Sequence, residues 1–134
     1  MSILVDTSVW IDFIRGGSRA PTRRLQSALD RGVTPAISAT IYQEILQGAV
    51  DERRFREYRS YFRSQLFLHP ADRVESSERA ARLYFDCRRN GLTIRSTIDC
   101  SIATLAIEHD VPLLHDDRDF DRMAQIVPKL KLYA

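Results

Sequence analysis

The chemistry available to this chain of 134 residues starts with a handful of acids and where they fall. Asp6 follows Ile3-Leu4-Val5, a short β-branched run. Asp116, Asp117 and Asp119 follow a second apolar run, Val111 to Leu114. Glu44 lies within two turns of the start of a helical stretch that follows a third run, Val33 to Ile37. Asp99 lies in the first turn of a helical stretch that begins at Ser96. In open α/β sheets ligands bind beyond the carboxyl ends of the strands. Four separate segments therefore bring acids toward one end of one sheet. Carboxylates crowded there repel one another, which raises their pKa values and costs stability. A hard divalent cation removes that cost, and Mg²⁺ or Mn²⁺ prefers oxygen ligands.

Each acid also has a purely structural use. Asp6 can cap the first helix, and Ser96-x-x-Asp99 has capping-box spacing with Asp in place of Glu. Asp117 can cap the last helix, and Asp119 can pair with Arg122 three residues on. Joint placement is what these separate uses leave unexplained.

The elements that must carry the acids read as alternating strands and helices. A helix is predicted from Ser8 to Arg15, stopped by Gly16-Gly17, and a second from Pro21 to just before Gly32. Ser38 is the N-cap of a helix running to Gln47. Asp51 to Arg63 reads as helical, with Phe55, Tyr58 and Phe62 on one stripe. Leu66 to Leu68 is a third short strand. Asp72-x-x-Glu75 opens a long helix that ends at Asn90-Gly91. Ser96 to Glu108 is a further helix, Val111 to Leu114 a fourth strand, and Leu130 to Tyr133 a short final one. Strands separated by helices in this order mean βα units around a mostly parallel sheet. With no repeat and no Pro/Gly-rich linker, the expectation is one domain spanning residues 1–134.

Hydrophobic residues make up 44% of the chain and charged residues 28%, ordinary for a globular protein that buries a core without disulfides. Cys87 and Cys100 form neither a disulfide framework nor a zinc pattern. His69, His109 and His115 do not stand at zinc spacings and read as structural. No apolar run reaches the ~18 residues of a membrane span. Met1 to Asp6 does not look like the start of a signal peptide. A cytoplasmic location with reduced thiols is the expectation. Net charge is only +2, yet all but Lys129 and Lys131 of the 20 basic residues are arginine. Arginine forks suit phosphates, although solvated helix faces account for such a bias equally well. Arg95 and Arg88-Arg89 flank the Asp99 segment. Arg53, Arg56, Arg59 and Arg63 run beside the aromatic stripe, which reads as packing, a protein contact or a nucleic-acid surface.

Four motifs, in order along the chain, carry a family resemblance. Asp6-Thr7-Ser8-Val9-Trp10-Ile11 resembles the opening motif of PIN domains of the VapC type. Glu44, within Tyr42 to Gly48, matches their helical glutamate. Thr93-Ile94-Arg95-Ser96-Thr97-Ile98-Asp99-Cys100 resembles the TVRSxxDC motif of one VapC subgroup. His115-Asp116-Asp117-Arg118-Asp119-Phe120 resembles the HxDxDF/Y motif. The resemblance implies a three-layer α/β/α sandwich. It maps the family's metal-binding acids onto Asp6, Glu44, Asp99 and Asp117, with Asp119 as a fifth, and leaves Asp116 on a variable position. Ser8 falls on a small polar position that supports the first aspartate.

The resemblance further implies an endoribonuclease holding one or two Mg²⁺ or Mn²⁺ ions. Transfer RNA is the expected substrate and ribosomal RNA the second choice. It implies a VapB-type antitoxin, made from the adjacent gene, that inserts an arginine among the acids. A homodimer and a hetero-oligomer with that antitoxin are the expected assemblies. Hydrolysis by this route does not use the RNA 2′-hydroxyl, so products should carry 5′-phosphate and 3′-hydroxyl ends.

Rival readings remain. A phosphatase or receiver-type domain also places an aspartate after its first strand. A dehalogenase-like phosphatase wants an acid where Ser8 stands, and both want a lysine near the late strands. A non-catalytic RNA- or protein-binding module of the same fold is a further alternative, as is a PIN nuclease that processes RNA without being a toxin. Five acids at one end of the sheet would hinder RNA binding in a module without a metal.

Overall fold

The computed structural model describes residues 1–134. Four strands form one all-parallel sheet: β1 (Ser2–Val5), β2 (Thr34–Ser38), β3 (Leu66–Leu68) and β4 (Leu113–Leu114), in the order β3-β2-β1-β4. Seven helices connect and follow them: α1 (Thr7–Ile14), α2 (Ala20–Asp30), α3 (Ala39–Gln47), α4 (Glu52–Arg63), α5 (Arg73–Arg89), α6 (Thr97–Glu108) and α7 (Arg118–Ile126). The strands step one way from β1 to β3, and the chain then returns to place β4 on the far side of β1. Right-handed crossovers therefore put α1–α4 on one face and α5 and α6 on the other. Contacts agree: α1 packs on α2 and α3, α3 on α4, and α5 on α6 and α7. This is the expected α/β sandwich. The direction of winding reverses between β1 and β4, the switch point where such sheets open a crevice.

β1 reads Ile3-Leu4-Val5 and β4 reads Leu113-Leu114 because both faces of the sheet are covered there, and all five side chains are buried. Trp10 of α1 and Phe62 of α4 are fully buried and meet edge to face at 5.1 Å. Caps fall where side-chain chemistry allows. Ser38 accepts from the Ile41 amide, Asp51 from Arg54 and Asp72 from Glu75. Gly32 and Gly91 take φ of +81° and +80° just beyond α2 and α5, a conformation that favours glycine.

Two strands are shorter than the sequence predicts. The Val111 amide turns back to the Ala106 carbonyl at 3.1 Å, and Pro112 has no N–H to donate. Pairing by β4 thus starts only at Leu113. With so short an edge to pair against, the expected strand over Leu130 to Tyr133 shrinks to a single parallel bridge, Leu113 to Leu132.

Candidate metal centre

The sheet aims the first acid. β1 ends at Val5, and the Asp6 amide donates to the Leu114 carbonyl at 2.9 Å, so the ends of β1 and β4 are tied together. Asp6 occupies the N-cap position of α1 yet makes no side-chain cap bond. Its carboxylate faces inward instead, only 7% exposed, with the Ser8 hydroxyl 3.4 Å from Oδ2. Thr7, one residue on, donates to Glu44 Oε1 at 2.6 Å across 37 residues of chain. That bond carries the α3 glutamate to the head of α1.

Leu114 leads directly into the second group of acids. Asp117 caps α7, accepting from the Asp119 amide at 2.9 Å. Asp119 is in the first turn of α7 and 2% exposed. Asp99, in the first turn of α6, completes a trio: one ligand oxygen from each of Asp99, Asp117 and Asp119 lies within 4.8 Å of the other two. The capping-box reading of Asp99 fails, because Ser96 makes no side-chain cap bond. For Asp117 and Asp119 the structural uses are present alongside: Asp117 does cap, and Arg122 Nη1 stands 3.6 Å from Asp119 Oδ1.

The raised carboxyls owe more to burial than to the expected crowding, which adds to it. Burial pushes the Asp6 carboxyl up to about 7, with the Asp99 and Glu44 charges adding to the effect and the Thr7 amide opposing it. Burial also raises Asp99, to about 6, helped by Asp117, Asp119 and Glu44. All five predicted acids are thus joined in one electrostatic group. The tight trio, however, is Asp99, Asp117 and Asp119; Asp6 and Glu44 stand beside it rather than within it. One atom shows what the trio lacks. Asp119 Oδ2 is buried and accepts no hydrogen bond, although Arg95 Nε is 3.5 Å away. The distance suffices for charge attraction but is too long for a hydrogen bond. An unsatisfied buried carboxylate oxygen beside two further carboxylates fits a hard cation that takes oxygen ligands. A metal ion can be held here.

Asp116 points elsewhere. It pairs with Arg19 at 2.5 Å, and that guanidinium holds its carboxyl below the ordinary range. Three arginines, Arg95, Arg118 and Arg122, line a polar cleft of about 610 Å³ with Thr93, Asp116, Asp117 and Asp119. A more enclosed cavity of about 350 Å³, between β3, α5 and α6, contains none of the five acids. Its innermost carboxylate, Glu108, is already satisfied by Ser76 and Arg79.

The family model described as the PIN domain matches residues 3–126. The chain belongs to the PIN domain family. Within it, a VapC ribonuclease of Mycobacterium bovis and ribonuclease VapC11 of Mycobacterium tuberculosis are each 35% identical over 125 residues, 92% of either chain. The fold matches that of VapBC-1 from nontypeable Haemophilus influenzae, with a TM-score of 0.75 at 16% identity, covering 99% of this chain and 97% of that one. It also matches VapBC2 from Rickettsia felis bound to a promoter DNA fragment, with a TM-score of 0.73 at 20% identity and coverage of 99% and 98%.

In this PIN domain the sequence reading missed two supports. Thr7 sits inside the opening motif, but only the structure shows its hydroxyl reaching Glu44. His115 accepts from the Asp117 amide through Nδ1 at 3.1 Å, while Nε2 faces Asp121 Oδ1 at 3.3 Å. That pattern puts the imidazole proton on Nε2, and burial lowers the ring's pKa. His115 is structural, as expected, but what it holds in place is an acid of the trio. The signal available in the sequence was its spacing of two residues from Asp117.

Proposed function

We propose that this PIN domain is a Mg²⁺- or Mn²⁺-dependent endoribonuclease that hydrolyses RNA phosphodiester bonds as the toxin of a toxin–antitoxin pair, with tRNA as its substrate. Asp6, Glu44, Asp99, Asp117 and Asp119 are its catalytic and metal-binding residues, and a VapB-type protein its antitoxin. The observation that carries the reading is the trio of acids with an orphaned, buried Asp119 oxygen, set at the switch point of the sheet. The family and the VapC ribonucleases among its relatives support the nuclease class. Solved neighbours that are VapBC complexes support an antitoxin partner.

A divalent cation bound here would supply Lewis acidity for phosphodiester hydrolysis and positive charge for the departing oxygen. The chain's own residues do the rest. Asp99, Asp117 and Asp119 would hold the cation from the starts of two helices, α6 and α7. Asp6, buried against the β4 end, would give up its proton as the cation binds and add a negative charge shielded from solvent. Thr7 fixes the Glu44 carboxylate through one short bond and leaves its second oxygen to orient a water. The arginines of the cleft wall offer the positive charge that RNA phosphates need beside an acidic centre.

The rival of a non-catalytic module is disfavoured by cost. Burial that raises Asp6 to about 7 is a standing penalty with no purely structural return, since Asp6 caps nothing. The test is incubation of purified protein with total tRNA, with and without Mg²⁺, in parallel with Asp99→Asn. Wild type should yield fragments with 5′-phosphate ends only with the metal, and Asp99→Asn should lower the rate by orders of magnitude. Because Asp99 caps nothing, its melt in EDTA should be unchanged or slightly raised. A destabilised Asp99→Asn protein that cleaves normally returns Asp99 to a structural role. Wild type that leaves tRNA intact in Mg²⁺ overturns the tRNA assignment.

A further inference from the structure

Arg95 is the cation nearest the trio, and its geometry is unusual for an ion pair. It stands just before α6, in the segment that also delivers Asp99. Nη2 lies 3.6 Å from Asp117 Oδ1 and Nε lies 3.5 Å from Asp119 Oδ2. Two nitrogens of the guanidinium therefore face acids of the trio, yet neither makes a hydrogen bond, and the side chain is 79% exposed. A pair whose guanidinium is exposed and makes no hydrogen bond is weak and easily exchanged. Its two partners are the very carboxylates that a divalent cation would need.

We propose that Arg95 is an exchangeable internal counter-cation: it partly neutralises Asp117 and Asp119 in the metal-free chain, gives them up to the divalent ion, and then takes a non-bridging phosphate oxygen of the RNA. The inference rests on the metal-dependent ribonuclease reading. Two cations cannot share these carboxylates at full occupancy, since each lowers the other's affinity. A released Arg95 remains in the same cleft, tethered beside Asp99, with Arg118 and Arg122 along the wall. Its planar fork matches a phosphate better than any other side chain. The exchange offsets part of the site's negative charge before the metal arrives and places a positive charge at the phosphate only afterwards. RNA binding and metal loading are thereby coupled through one side chain.

The two halves of this role move in opposite directions when Arg95 is removed, which a merely structural residue would not do. Mn²⁺ binding to the RNA-free protein, followed by electron paramagnetic resonance, should tighten in Arg95→Ala by about two- to fivefold, the size of one exposed ion pair. Cleavage of a labelled single-stranded RNA at saturating Mg²⁺ should show a higher half-saturating enzyme concentration. Its logarithmic salt slope between about 50 and 200 mM should be smaller by about 0.7, one phosphate contact. Arg95→Lys, which keeps the charge but not the fork, should bind Mn²⁺ like wild type and fall between the two in RNA affinity. Unchanged or weaker Mn²⁺ binding in Arg95→Ala overturns the exchange. An unchanged half-saturation and salt slope overturns the phosphate contact. Wild type that binds Mn²⁺ but cleaves no RNA fails the ribonuclease reading and with it the phosphate contact, while the Mn²⁺ comparison still decides the exchange.

Discussion

Asp6 shows how a single buried carboxylate can be expensive to the fold. In the folded chain it keeps its proton up to about 7, whereas the ordinary value is 3.8. Between those limits the folded state binds more protons than the unfolded one, so raising the pH destabilises the metal-free protein. The contribution is whole below the unfolded value, and it is lost as pH climbs through the folded one. Asp99, raised to about 6, acts in the same sense over a narrower window. Asp6→Asn isolates the effect, because the amide copies the protonated acid. In EDTA the variant should match wild type near pH 4 and exceed it at pH 8 by roughly 1 to 4 kcal/mol, since each pH unit between the unfolded and folded values is worth at most about 1.36 kcal/mol. Denaturant melts at the two pH values read this directly. Mg²⁺ at about 100 times its Kd should then restore wild type by about 2.7 kcal/mol and do far less for Asp6→Asn. A variant no more stable than wild type at pH 8 would show that Asp6 is not strained by burial.

At the scale of elements, the stripe on α4 separates into parts that the sequence could not separate. Phe55, Tyr58 and Phe62 recur at helical spacing, but only Phe62 is fully buried, against Trp10, while Phe55 is 40% exposed. Spacing fixes which residues share a face and not how deep the face sinks, which depends on what packs opposite. The neighbouring arginines divide likewise: Arg53 and Arg56 pair with Glu57 and Glu52 on the same helix, while Arg59 and Arg63 make no ion pair and rim an open hollow with Arg56 and Ser60. Phe62→Ala should cost about 3–5 kcal/mol, and Phe55→Ala should stay within about 0.5 kcal/mol. Comparable losses in urea melts would place both rings in the core. The same limit explains the rest of what the sequence left open. Helices with caps and stops, such as Ser38 to Gln47 and Asp72 to Asn90, were legible because their end signals are local. The fourth and fifth strands were overextended because an apolar run does not reveal that Val111 folds back onto α6. The acids were legible as a group through strand ends and motifs. That Asp6 and Glu44 stand outside the tight trio depends on side-chain reach across four segments, which no spacing records.

Over the whole molecule, the sheet order gathers the five acids at one end of the protein. Winding reverses between β1 and β4, so the acid after β1 meets the acids after β4. α3 and α6 bring Glu44 and Asp99 to the same end from opposite faces of the sheet. A chain built this way gathers five of its 18 acidic residues at one place despite a net charge of only +2. That place invites a partner carrying arginine, since a guanidinium can sit where Arg95 already sits against Asp117 and Asp119. In the toxin reading, such a partner and a metal ion compete for the same carboxylates, and neutralisation is occupancy of the centre. Expression of the wild-type chain alone in a bacterial host should therefore arrest growth, and co-expression of the protein made from the neighbouring gene should relieve it. Asp6→Asn should be harmless at equal abundance, because the charge that helps to hold the metal has gone while the fold is kept. Growth curves with immunoblots for abundance distinguish these outcomes. If wild type and Asp6→Asn prove equally harmless while purified wild type still cleaves RNA, the toxin role falls and a PIN nuclease of RNA processing stands in its place.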